Sequence, residues 1–212
     1  MKRLLWLTDI HLNFVGISDR DRYLDSLAAA QPDAILLGGD ISEAPDFGDY
    51  LSRLDVCLQV PIYFVLGNHD FYRGSIPHVR QRAARLCGQN PRLHYLTSSP
   101  PVELTSQCGL VGHDGWADAR AGDYERSDVL LNDYVLIHEL AIYDKVARRS
   151  VLESLGDEAA AHIRQVLPTA LERWQRVMLL THVPPLREAC WHEGHISDDN
   201  WAPHFTCQAV GE

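Results

Sequence analysis

The chain has 212 residues and a formal net charge of −10, from 19 Lys and Arg against 29 Asp and Glu. That balance argues against tight, non-specific binding to long nucleic acid or to an anionic membrane surface, and no segment approaches the length of a membrane span. A hydrophobic share of 46% and a charged share of 23% are ordinary for a globular protein, and the length suits one domain, 1–212, with a sizeable core.

The acidity leaves room for a phosphate substrate, because bound dications can invert the local field of a site. Five cysteines without a Cys-x-x-Cys pair read as free thiols in a reducing cytoplasm. The opening Met1-Lys2-Arg3-Leu4-Leu5-Trp6-Leu7 resembles the start of a signal peptide, but its apolar core is too short.

Residues 3–8 read as a first strand that runs into Thr8-Asp9-Ile10-His11. In extended chain Asp9 and His11 share a face and can grip one ion; the alternative is a capping Asp and a surface His. Residues 19–30 read as a helix with Tyr23, Leu24 and Leu27 on one face. Residues 33–38 read as a second strand, apolar throughout as expected where both faces are covered. It delivers Gly39-Asp40. A carboxylate on this tight turn can bridge two metals, or cap a helix; Glu43 reads as a plain helix residue. The alternation of strand and helix argues for a mainly parallel sheet.

Residues 46–59 read as a second helix with Phe47, Leu51, Leu54 and Leu58 inward. The apolar run 61–66 is a third strand, ending in Gly67-Asn68-His69-Asp70. Glycine permits the sharp turn, and the amide, imidazole and carboxylate that follow suit a hard cation and proton movement better than a core. A hydrogen-bonded turn is the alternative.

Residues 75–87 read as a helix whose Arg80, Arg82 and Arg85 form a solvated face, with Arg73 near enough to the site to touch a substrate phosphate. Residues 90–101 read as loop and a short strand, and 108–112 as a strand ending at His113, a candidate for lining the pocket. Trp116, Asp118 and Arg120 fit a loop over the active face. One or two rim helices are expected within 123–150, and a helix over 157–174 that Pro168 should kink or split, with Ile163, Val166, Leu167 and Leu171 inward. Residues 176–181 form a strand ending at His182, which Val183-Pro184-Pro185 leaves exposed. The last stretch gathers Cys190, Trp191, His192, Glu193, His195, Trp201, His204 and Cys207. Its spacing is neither His-Glu-x-x-His nor a zinc knuckle. It reads as a mobile lip near the substrate, with His195 and His204 as candidate substrate contacts or metal donors.

Four apolar strands thus end in potential metal ligands, and in open α/β sheets sites form at the carboxyl ends of strands. Asp9-x-His11, Gly39-Asp40, Gly67-Asn68-His69-Asp70 and Thr181-His182-Val183-Pro184-Pro185, in this order, resemble the calcineurin-like metallophosphoesterase superfamily over nearly the whole chain. The resemblance implies an α/β fold, with mainly parallel and mixed β-sheets in a sandwich flanked by helices. It implies a hydrolase of a small phosphomonoester or phosphodiester, acting through a water activated by two divalent metals. Oxygen and imidazole ligands suit Mn, Fe or Zn. Asp9 and His11 would hold one metal, Asn68 and His182 the other, and Asp40 both. His69 would be the proton donor near the leaving group, held in its tautomer by Asp70. The family's Asp-Arg-Gly does not follow Asp40, which argues against the Ser/Thr protein phosphatase branch. Its Gly-His-x-His is also absent. The expectation is therefore a fragment lacking C-terminal strands; lip histidines standing in for the motif, or decay of the site, would also account for its absence. The rival readings are a non-catalytic interaction protein on the same fold, and a nuclease or cyclic-nucleotide phosphodiesterase.

Overall fold

Leu4–Leu7 (β1), Ala34–Leu37 (β2), Ile62–Phe64 (β3) and Leu93–Tyr95 (β4) pair in that order as a parallel sheet. These strands belong to a computed structural model that describes residues 2–192 and 194–212; Met1, and Glu193 of the expected lip, lie outside the described residues. A second sheet orders Val102–Thr105 (β5), Cys108–His113 (β6) and Arg176–Thr181 (β7), with β5 antiparallel and β7 parallel to β6.

The strand period of two explains how the sheets stack. Ala34 and Leu36 of β2 and Tyr63 of β3 meet Leu104, Leu110 and Leu180 of the second sheet in one buried cluster. Ile35, Leu37, Ile62 and Phe64 point the other way. They pack against three helices, Ile17–Ala29 (α1), Phe47–Leu58 (α2) and Ile76–Gln89 (α3), through Leu24, Leu51, Leu54 and Val79. All four residues of β2 are buried, so its uninterrupted apolar run was a sound indication. Two facing sheets, with these helices on the outer side of the first, make the expected sandwich.

A short helix, Asp133–Leu136 (α4), lies at the rim, and a long one, Lys145–Arg173 (α5), covers the outer face of the second sheet. The latter begins at Lys145 rather than near 157 and passes Pro168 unbroken. Asp144 caps it, accepting from the N–H groups of Val146 and Ala147. Proline forfeits one intrahelical bond, but Ile163 and Ala170 are buried on either side of it, and Ala170 and Trp174 pack on Val111. Leu171, expected inward, is exposed.

The basic face of α3 is also not simply solvated. Arg80 turns inward and donates to Asp114 at 3.0 Å. Asp114 is buried and accepts from the Leu66 N–H at 2.8 Å, which ties the end of β3 to the end of β6. The expected lip is folded. Trp191–His192 (β8) and His195–Ile196 (β9) form a hairpin, followed by Ala202–Phe205 (α6) and Gln208–Gly211 (α7). Asp118, buried beside Arg120, accepts the Ala209 N–H at 2.8 Å and anchors α7. No helix among the described residues is long and apolar enough to cross a membrane.

Candidate metal centre

The turns after β2 and β3 lie so close that only glycine fits between them. A Cβ on Gly67 would stand 2.2 Å from Asp40 Oδ1 and 2.6 Å from Asp40 N. Asp9, His11 and Asp40 all adopt left-handed backbone, with φ of 52°, 39° and 53°. Such conformations are uncommon outside glycine and concentrate at functional sites.

They also correct the extended reading of Asp9-x-His11. The two side chains part company: Asp9 groups with Asp40 and His182, and His11 with Asp40 and His69, the ligand atoms of each group lying within 4.8 Å of one another. Asp40 belongs to both groups. Its Oδ1 lies 3.6 Å from His182 Nε2 and its Oδ2 3.7 Å from His11 Nε2. The His69 N–H donates to Oδ1 at 2.9 Å and fixes the carboxylate.

His182 Nδ1 lies 2.8 Å from the Gly38 carbonyl oxygen, so Nδ1 carries a proton and Nε2 is the atom that turns to the site. Nε2 faces the Asn68 amide oxygen at 3.2 Å. The amide is oriented by a residue that sequence reasoning missed. Asn68 Nδ2 donates to Asp133 Oδ1 at 2.8 Å, and the Tyr72 hydroxyl donates to the same oxygen at 2.8 Å. Asp133 sits on α4, far along the chain from any motif, and its sequence context signals nothing but a rim helix. Because Asp133 sets which end of Asn68 faces His182, Asp133→Ala is expected to weaken metal binding by about 10- to 100-fold; titration of the purified protein with Mn²⁺ would measure it, and an unchanged affinity would remove Asp133 from this role.

The donor set fits divalent cations. Asp9, Asp40 and Asp133 line one cavity of about 510 Å³, and no lysine or arginine lies among the described residues lining it. The buried Nδ1 atoms of His11 and His69 have no hydrogen-bond partner among the described residues. Burial disfavours the charged form of His182, yet the Asp40 and Asp9 carboxylates outweigh it and raise its pKa. Burial likewise raises Asp133, against the pull of its Asn68 and Tyr72 donors.

Asp70 does not reach the His69 ring as expected. It is wholly buried, and its oxygens accept from the N–H groups of Ile41 (2.9 Å), Ser42 (3.0 Å) and Gly67 (2.9 Å). A carboxylate already saturated by the backbone has no geometry left for the imidazole. Burial and the neighbouring Asp40 charge push it up to about 8, opposed by the Ser42 and Gly67 N–H groups. The His69 ring instead stacks on Tyr72, with centroids 4.2 Å apart, and meets the His11 ring edge-on at 4.6 Å.

The remaining expectations divide. Arg73 pairs with Glu43 and is not among the residues lining the cavity; Glu43 is a buried anchor for it rather than a plain helix residue. His113 is buried behind the site, outside the cavity lining, where burial lowers its pKa to about 4 and Nδ1 accepts the Gly115 N–H at 3.0 Å. His195 lies on β9 outside the lining, and His192 takes its place in it. His204 lines the cavity, but its nitrogens face Ser127 Oγ at 2.9 Å and the Tyr134 hydroxyl, so neither is spare for a metal.

The family model for calcineurin-like phosphoesterases matches residues 2–210. A probable cyclic nucleotide phosphodiesterase of Pseudoalteromonas sp. (strain SM9913) is 31% identical over 81 residues, covering 32% of this chain and 31% of that protein. The chain thus spans about a third of the length of that curated relative. Among solved structures, phosphopantetheinyl hydrolase from Mycobacterium tuberculosis superposes with a TM-score of 0.70 at 15% identity, over 98% of this chain and 77% of that one. A dimetal phosphatase from Danio rerio gives 0.53 at 16% identity, over 98% and 75%. Likenesses this distant carry the fold alone. The chain belongs to the calcineurin-like phosphoesterase family.

Proposed function

We propose that this member of the calcineurin-like phosphoesterase family is a metal-dependent hydrolase of a small phosphorylated substrate. The observation that carries the reading is the Asp40 carboxylate, one oxygen toward His182 Nε2 and the other toward His11 Nε2. Asp40 would be shared between two cations, Mn, Fe or Zn, with Asp9, His182 and Asn68 on one side and His11 on the other. When bound, the cations polarise the phosphoryl group and lower the pKa of an attacking water. His69 lines the same cavity and is suited to protonate the leaving oxygen as the ester P–O bond breaks. The five free thiols suit a reducing compartment, here the cytoplasm.

Metal counting by elemental analysis after Mn²⁺ loading and desalting, with hydrolysis of a phosphomonoester and a phosphodiester, tests the reading. Two cations per chain and turnover of either ester are expected. Turnover of the diester alone would favour the nucleotide phosphodiesterase that the Pseudoalteromonas relative's name suggests. No turnover of either at saturating Mn²⁺ would favour an interaction protein on this fold. His69→Ala is expected to keep its metal and lose about 10²- to 10⁴-fold in rate, the usual worth of a proton donor. His69 also groups with His11 and Asp40; loss of metal in the variant would make it a ligand instead.

A further inference from the structure

The cavity is lined not only by the strand-end residues but also by rings from the segment after His182, namely Trp191, His192, Trp201 and Phe205. The Trp201 ring lies 6.1 Å from His192 and 5.9 Å from Phe205, with planes inclined by 31° and 35°. These three rings therefore form one continuous wall. Trp191 is 64% exposed and Trp201 40%. Large aromatic faces left in water beside a site mark a surface awaiting an apolar partner.

The folded chain holds these rings in place. The Trp191 indole N–H donates to the Glu188 carbonyl at 2.9 Å. The Trp201 backbone N–H donates to Asp198 Oδ1 at 3.0 Å, fixing the start of α6. Flat rings stack favourably on such faces.

We propose that this wall selects the substrate: a phosphate ester whose organic group is a flat aromatic ring system. The proposal rests on the hydrolase reading above and deepens it. Trp201, supplied by the start of α6, is its specificity-determining residue.

Matched probes separate flatness from mere apolar size. Binding of 2-(1-naphthyl)ethylphosphonate and its decalin counterpart to the Mn²⁺-loaded protein would be measured by calorimetry, and turnover of the corresponding phosphates in parallel. Both phosphates share an alkoxide leaving group, so leaving-group chemistry does not bias the comparison. The naphthyl phosphonate is expected to bind about tenfold more tightly. That preference should collapse in Trp201→Ala and largely survive in Trp201→Phe, with circular dichroism unchanged. Equal binding of the two phosphonates, or a naphthyl preference that persists in Trp201→Ala, would overturn the proposal. Failure to turn over either phosphate, with the binding preference intact, would overturn the hydrolase reading and support the wall as a recognition surface.

Discussion

Asp40→Asn is expected to empty the site and abolish hydrolysis while leaving the fold intact. The substitution removes one negative charge from a carboxylate that faces ligand atoms on both sides. Two unit charges about 4 Å apart interact by roughly 4 kcal/mol at an effective dielectric of 20, and a dication doubles that, so the loss is at least about 10³-fold in affinity for each cation. The backbone loses little. Asn keeps an oxygen to accept the His69 N–H that Asp40 Oδ1 now accepts. Asn is also among the residues best suited to the left-handed conformation at this position, where φ is 53°. The metal-free variant also sheds the repulsion between Asp40 and Asp70, which contributes to the raised pKa of Asp70. Its melting temperature without metal should therefore be no lower than that of the parent, and Mn²⁺ should no longer raise it. A variant that still binds two Mn²⁺ and hydrolyses its substrate would take Asp40 out of the bridging position.

The candidate site was legible where the chemistry is local in sequence. An apolar strand announces itself by composition, and a ligand at its carboxyl end by position. Asp9, Asp40, Asn68 and His182 could therefore be named before any fold was seen, and Gly67 stands where a side chain would strike Asp40. Long-range contacts were not legible. Asp133 orients Asn68 from a stretch 65 residues further on, and Asp114 draws Arg80 inward across 34. Neither pairing leaves a local pattern. Backbone strain was equally silent. The left-handed turns at Asp9 and His11 send the two side chains to different groups, where an extended chain would have kept them together. Pro168 does not split α5 for the opposite reason, since tertiary packing along the helix overrode a local breaker.

Asp70→Ala is expected to damage the fold more than the chemistry. The local pattern His69-Asp70 suggests an imidazole and its orienting carboxylate, but the hydrogen bonds run elsewhere. Asp70 Oδ1 accepts from Ile41 and Ser42 and Oδ2 from Gly67, so one buried side chain fastens the turn after β2 to the turn after β3. Removing it strands three N–H groups in a place without water and opens a small cavity. A buried donor left unsatisfied costs about 1–3 kcal/mol; the variant also sheds the burial penalty and the Asp40 repulsion that raise the Asp70 pKa, and with the three N–H groups sharing one relaxed cavity the net loss is roughly 3–5 kcal/mol. Against a total stability of about 5–15 kcal/mol, that is a large fraction. For a chain of this size the melting temperature should fall by roughly 6–20 °C. Metal affinity should fall with it, because the two turns carry Asp40 and Asn68. Asp70→Asn should be only partly protective, since its amide nitrogen would face at least one backbone donor. Urea unfolding of the metal-free proteins separates the two roles. Unchanged stability with a lost rate would restore Asp70 as the partner of His69. A large stability loss in the metal-free state would make it the clasp that holds the two ligand-bearing turns at the distance the site requires.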